Sequence, residues 1–424
     1  MERLLSTDRR AFLKWVGALP LLGFISTQGL VERAFAAVKR NRSNNIYTRI
    51  GVRPVINARG PWTYISGTLE LPEVKAAKQQ AADYFVNIWE LHRAVGKRLA
   101  ELSGAEAGLV TSGAAGAMAV ATAACIAGTD PAKIWQLPDT AGMKNEVVML
   151  GGRSLFDSAI RGAGGKLVVA YTHDELQSAI GEKTVMVYTD SWGERLEKAL
   201  SITKKAGVPM LVDWADRVPP MENFYLPAKM GVELYTISGG KGLCGPQCTG
   251  LLLGRKDLIE AALANSSPWE GAICRPMKVG KEEIMGLLAA VEAWKKIDEA
   301  GLNREFGKRI GRIKQVIETV PGVTSEVETA YAEPSLFVKW DEAAFKLSVA
   351  DCVEKLLDGD PRIEVSSRHN PSAVPGAFEG NPKRATHRIT PDRIQIVAAT
   401  LQPGEELLVA RRLREVLNEA RKSA

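Results

Sequence analysis

Leu234-Tyr235-Thr236-Ile237-Ser238-Gly239-Gly240-Lys241-Gly242 runs a short apolar stretch into a lysine set among glycines. The stretch up to Ile237 reads as a buried strand, and glycines directly behind it let the backbone pass close to whatever lies at the strand end. A lysine confined there, in desolvating surroundings, gives up its proton readily and can attack a carbonyl. Ser238 stands three residues ahead and can offer a hydroxyl to a phosphate. A solvated lysine in a glycine turn has the same local sequence, so the segment alone decides nothing.

Two upstream segments supply what is missing. Met210-Leu211-Val212 is a second apolar strand and ends in Asp213, 28 residues before Lys241. A carboxylate at that place can keep a pyridine nitrogen protonated; by itself it is as readily a turn or cap residue. Ala107-Gly108-Leu109-Val110 is a third strand, leading through Thr111-Ser112-Gly113-Ala114-Ala115-Gly116 into an alanine-rich helix that reaches Ala127. The first amides of such a helix favour a phosphate, although any close strand–helix turn can look alike. Together the three features follow the order and spacing that a pyridoxal 5'-phosphate (PLP) site requires. Lys241 and Asp213 are then the catalytic candidates, with Lys241 the Schiff-base residue. Ser112, Gly113, Ala114, Asp213, Ser238 and Lys241 are the cofactor-binding set.

Further strands are expected at Glu146–Leu150, Lys166–Ala170, Val185–Tyr188 and Gly250–Leu253, alternating with helical segments. Uniformly apolar runs of this length argue for a mostly parallel sheet covered on both faces. One helix is expected from Pro72 to about Leu102. A long helical pattern runs from Ile284 to Val320 with a break near Gly301. A smaller α/β unit follows, with strands at Ser335–Trp340, Ile363–Ser366 and Arg393–Ala398 and helices at Val349–Leu357 and Glu405–Ala420. The expected organisation is a leader over 1–36, an arm over 37–60, a large PLP-binding domain over 61–290, and a connecting helix with a small C-terminal domain over 291–424. This α/β layout, a mostly parallel central sheet with a smaller C-terminal α/β domain, is that of the aspartate-aminotransferase-like PLP fold type I.

The chain has 424 residues, 46% of them hydrophobic and 25% charged. That suits a globular enzyme of two domains. Its net charge of +6 is spread along the sequence. A basic stripe of the nucleic-acid-binding kind is absent, and an anionic substrate is the most the charge supports. Near the N-terminus, Arg9-Arg10-Ala11-Phe12-Leu13-Lys14 precedes an interrupted apolar stretch and Ala34-Phe35-Ala36. These are the marks of a twin-arginine export signal; an ordinary secretory signal or an uncleaved anchor is the alternative. Expected from it are the twin-arginine translocation machinery as a partner, a periplasmic or other extracytoplasmic location, and no membrane attachment after processing. Five cysteines are an odd number without metal-type spacing, and His92, His173, His369 and His387 show none either, so no metal is expected.

Several segments carry a resemblance. Gly51-Val52-Arg53-Pro54-Val55-Ile56-Asn57, Glu106 to Ala115, Ile160 to Val168, Gly239-Gly240-Lys241 with Gly245-Pro246-Gln247 and Gly250, and Arg275 to Glu283 are similar to the selenocysteine synthase (L-seryl-tRNA selenium transferase) and D-glucosaminate-6-phosphate ammonia lyase family. The resemblance covers roughly Tyr47 to Arg412. It implies Lys241 as Schiff-base residue, Asp213 as pyridinium partner, and a homodimer or larger homo-oligomer. It also points to Arg275 as the residue for an anionic substrate group or a neighbouring subunit's cofactor phosphate; a surface or interface ion pair is the alternative. Family members often carry a histidine where Gly152 stands, which leaves Arg153 or Phe156 to stack on the ring; Phe156 reads equally as plain core. The implied chemistry is elimination or replacement on a small amino acid or amino sugar acid. Selenium transfer to charged tRNA, amino transfer and a non-catalytic binding role are the other readings, and tRNA fits poorly with export.

Overall fold

Two sheets organise the chain in the computed structural model, which describes residues 45–330, 333–367 and 393–422. In chain order the strands are β1 Ile56–Ala58, β2 Ala107–Thr111, β3 Glu146–Leu150, β4 Lys166–Ala170, β5 Thr184–Thr189 and β6 Met210–Asp213. They continue with β7 Leu234–Ser238, β8 Gly250–Gly254, β9 Val323–Ala330, β10 Glu333–Trp340, β11 Ile363–Ser367 and β12 Ile394–Val397. The large sheet has the order β2-β8-β7-β6-β5-β3-β4. All neighbours are parallel except where β8 runs against β7 and β2.

Helices cover both faces, which is why these strands are apolar throughout rather than alternating. Val148, Val212 and Ile237 bury against the helices Ile88–Ser103 and Lys281–Trp294. Met149, Leu211 and Leu234 bury on the other face against Gly113–Ala127 and Lys256–Ala264. The small sheet has the order β1-β11-β12-β10-β9 and is backed by Glu299–Ile317, Val349–Asp358 and Glu405–Lys422. β1 comes from far upstream and pairs parallel with β11, Ile56 opposite Ile363. The expected mostly parallel α/β sheet with a smaller α/β unit is what the chain forms.

The structure departs from the expectations at two places, the helix over 72–102 and the strand β9. The helix expected over Pro72 to Leu102 is two, Pro72–Ala82 and Ile88–Ser103. Asn87 starts the second by accepting from the amides of Trp89 (2.9 Å) and Glu90 (3.2 Å), a bond that competes with helix continuation. The later helical run has the break expected of it, dividing into Lys281–Trp294 and Glu299–Ile317. Its break falls ahead of Gly301 because Asp298 accepts from the Gly301 amide at 2.9 Å. β9 was not expected: Val323-Thr324-Ser325-Glu326-Val327-Glu328-Thr329-Ala330 is polar because it is an edge strand.

The leader expected over 1–36, with Arg9 and Arg10, and His369 and His387 lie outside the described residues. No described helix is long and apolar enough to cross a membrane. All five cysteines are free thiols, and no described cluster of His, Cys, Asp and Glu is arranged to hold a metal.

Candidate active site

β2, β6 and β7 all end at one edge of the large sheet, the edge at which open α/β sheets bind ligands. Asp213 is the last residue of β6 and lies opposite Thr236 of β7. Ser238 follows two residues on and therefore shares that face, with Lys241 just beyond. Asp213 is half-buried and held from two sides. The Tyr188 hydroxyl donates to its Oδ2 at 2.8 Å, and the Ala215 amide to its Oδ1 at 3.1 Å. Burial raises the Asp213 pKa; these two bonds and the positive charge of Lys241 oppose the rise. A desolvated carboxylate of this kind is stabilised by a cationic partner, which a protonated ring nitrogen would supply. Burial pushes the Tyr188 phenol far above its ordinary range, so it remains a donor. The Thr236 hydroxyl, wholly buried on the same face, has no partner among the described residues.

The glycines around Lys241 form a cradle. A Cβ on Gly239 would lie 2.1 Å from Thr249 Oγ1, one on Gly240 2.4 Å from Gln247 Cα, and one on Gly242 2.3 Å from the Val218 carbonyl. No side chain fits at any of them, which accounts for the Gly-Gly-Lys-Gly run.

At the end of β2, the helix Gly113–Ala127 opens directly from the strand, with Gly113 at φ 70°. Ser112 occupies the N-cap but makes no capping bond. Its hydroxyl, like that of Ser238, bonds to nothing among the described residues. β8 presses on this turn: a Cβ on Gly250 would lie 2.3 Å from the Gly113 carbonyl carbon. Two free hydroxyls and open helix amides are the donor set a phosphate requires. With Asp213 and Lys241 on the same edge, the residues present fit PLP.

The other candidates separate. Gly152 is buried with φ 94°, a conformation that a histidine side chain would strain. Arg153 forms an ion pair with Asp157, which also accepts from Arg161 at 3.2 Å; that pair occupies the edge of the guanidinium and leaves its faces open. Phe156 is exposed and remains available. Arg275 is half-buried and makes no ion pair among the described residues, nor any hydrogen bond to Lys241, Asp213, Ser112 or Ser238. Arg393 pairs with Glu328 at 2.8 Å and covers the Phe337 ring at 4.2 Å; Arg368 and Arg388 lie outside the described residues.

Sequence reasoning missed Tyr188 and the segment 57–71. Tyr188 sits inside an apolar strand and reads as core; only the β5–β6 adjacency reveals its partner. The 57–71 segment lies on the Lys241 loop. Thr68 donates through Oγ1 to the Lys241 carbonyl at 2.8 Å, and Gln247 donates through Nε2 to the Thr63 carbonyl at 2.8 Å.

The fold and this donor set define a PLP-dependent enzyme of fold type I, and the comparisons agree. D-glucosaminate-6-phosphate ammonia lyase of Salmonella typhimurium is 30% identical over 396 residues, 89% of this chain and 99% of that protein. The chain therefore belongs to the family of that enzyme. A solved structure of a D-glucosaminate-6-phosphate ammonia-lyase superposes with a TM-score of 0.72 at 27% identity, covering 89% of this chain and 99% of the other. The 5'-C-glycyluridine monooxygenase-decarboxylase of a Streptomyces species is 29% identical over 88% of this chain and 92% of its own length. L-seryl-tRNA(Sec) selenium transferase of Moorella thermoacetica is 27% identical over 59% of this chain and 58% of its own. No family model matches the chain.

Proposed function

We propose that this enzyme catalyses elimination or replacement on a small, anionic amine substrate, an amino acid or amino sugar acid, with Lys241 carrying PLP. The observation behind the reading is the desolvated Asp213 carboxylate, held by Tyr188 and facing the field of Lys241. Bound PLP supplies an electron sink for the substrate carbon that bears the amine. Asp213 keeps the ring nitrogen protonated, and Tyr188 orients Asp213. Lys241 Nζ, once free, removes the α-proton and is the base of the reaction. Ser112, Ser238 and the amides of Gly113 and Ala114 hold the phosphate. Arg275 takes an acidic group, of the substrate or of a neighbouring subunit's cofactor, in a homodimer or larger assembly.

An amino sugar acid is favoured over charged tRNA, because the ammonia lyase matches 89% of the chain and the selenium transferase 59%. The Arg9-Arg10 segment supports export by the twin-arginine route to an extracytoplasmic site, where charged tRNA is absent. The test is ammonia release by the purified protein from amino acids and amino sugar acids, D-glucosaminate 6-phosphate included. Release that disappears in Lys241→Ala is expected. Keto-acid formation with the amino group retained on the protein would instead identify amino transfer.

A further inference from the structure

The segment 57–71 is fastened at both ends. At one end β1 is paired to β11, and the Thr400 hydroxyl donates to the Asn57 carbonyl at 2.8 Å. Arg59, buried, forms an ion pair with the equally buried Glu364 at 3.4 Å, and the Tyr64 hydroxyl donates to the same carboxylate. The Trp62 and Tyr64 rings lie over the Arg59 guanidinium at 5.0 and 5.5 Å. Asn57 folds the chain back, accepting from the amides of Arg59 (3.0 Å) and Gly60 (3.1 Å). All of this ties the segment to the small sheet.

The other end closes on the lysine loop. The Thr68 amide donates to the Gly240 carbonyl at 3.2 Å, its hydroxyl to the Lys241 carbonyl at 2.8 Å, and the Leu71 amide to the Cys244 carbonyl at 3.1 Å. Gly67, at φ 67°, comes so near that a Cβ would lie 2.5 Å from the Gly240 carbonyl oxygen. The Lys241 carbonyl also accepts from the Cys244 amide at 2.9 Å. Its two lone pairs are therefore both used, which fixes the peptide plane from which the lysine side chain departs.

We infer that Thr68 is a positioning residue for Lys241, and that segment 57–71 holds the lysine loop in register with the small sheet. The functional half of this inference rests on Lys241 as the cofactor lysine; the mechanical half does not. Thr68→Val keeps the shape and the backbone amide but removes the hydroxyl donor, and Thr68→Ser restores the donor. Two readouts are taken on the full-length protein: amide hydrogen exchange across 239–245, without added PLP, and the pH midpoint of the visible absorption after loading with PLP. Thr68→Val is expected to speed exchange of the Cys244 amide by about fivefold, the loss of one neutral hydrogen bond, and to shift the absorption midpoint. Thr68→Ser is expected to match the wild type in both. Unchanged exchange and midpoint in Thr68→Val would overturn the inference. So would a general rise in exchange with no shift of the midpoint, since that is loss of structure rather than of position. A normal Thr68→Val response in exchange beside a cofactor bound elsewhere than Lys241 would overturn the functional half and leave the clamp standing.

Discussion

Tyr188 and Asp213 are 25 residues apart in sequence and 2.8 Å apart across two strands. Removing the phenol oxygen leaves a desolvated carboxylate with the Ala215 amide as its other donor. A bond to a charged group contributes about 1.5–3 kcal/mol, so Tyr188→Phe is expected to lower kcat/KM by roughly tenfold or more, with PLP still retained; steady-state kinetics checks it. Glu333 titrates elsewhere. Burial pushes its carboxyl from 4.5 up to about 7, beside Pro219, Pro220, Trp294 and Glu299. The unfolded chain releases that proton first, so stability falls as pH rises from the unfolded value through about 7. Glu333→Gln cannot ionise, and relative to wild type it should gain on the order of 2 kcal/mol between pH 5 and pH 8. Denaturant midpoints at the two pH values measure it; parallel curves would refute it. The placement of Asp213, Ser238 and Lys241 at strand ends was legible in the sequence because strand ends and glycine flanks are written in linear order. Tyr188 and Thr68 were not, because their meaning depends on which strands and loops become neighbours.

Among the elements, the short strands of the large sheet were the most legible, since burial on both faces leaves a run of apolar residues with no competing pattern. Helix ends were less so. Asn87 caps a helix inside a stretch whose apolar spacing continues past it, whereas the break before Asp298 was marked by Gly301. Asn87→Ala is expected to destabilise the protein by about 1 kcal/mol, read as a lower thermal midpoint with the cofactor unaffected. The turn 112–114 depends on its neighbour instead. Gly250→Ala would drive a methyl group into the Gly113 carbonyl and displace the helix start. The expected outcome is weaker PLP retention in a folded protein, measured by dialysis against phosphate. Retention equal to wild type would mean that this turn does not hold the phosphate.

Across the whole molecule, two sheets of different character meet through a segment that the sequence places at the N-terminal edge and the fold places against Lys241. The layout of a large sheet followed by a smaller α/β unit was readable from the order of apolar runs. The return of β1 to β11 was not: Arg53-Pro54-Val55-Ile56-Asn57 suits a short strand, but its pairing with residues some 300 positions away leaves no local trace. The proposed export would be a property of the whole chain too: if the Arg9-Arg10 segment directs it, replacing both by lysine leaves the enzyme in the cytoplasm, as cell fractionation would register. The proposed chemistry turns on one lysine. Borohydride reduction of the PLP-loaded protein, followed by peptide mapping by mass spectrometry, tests it directly. A yellow protein whose reduced pyridoxyl label lies on Lys241, and is lost in Lys241→Ala, is the expected result. A label on another lysine, or a protein that takes up no PLP, would contradict the assignment of this site.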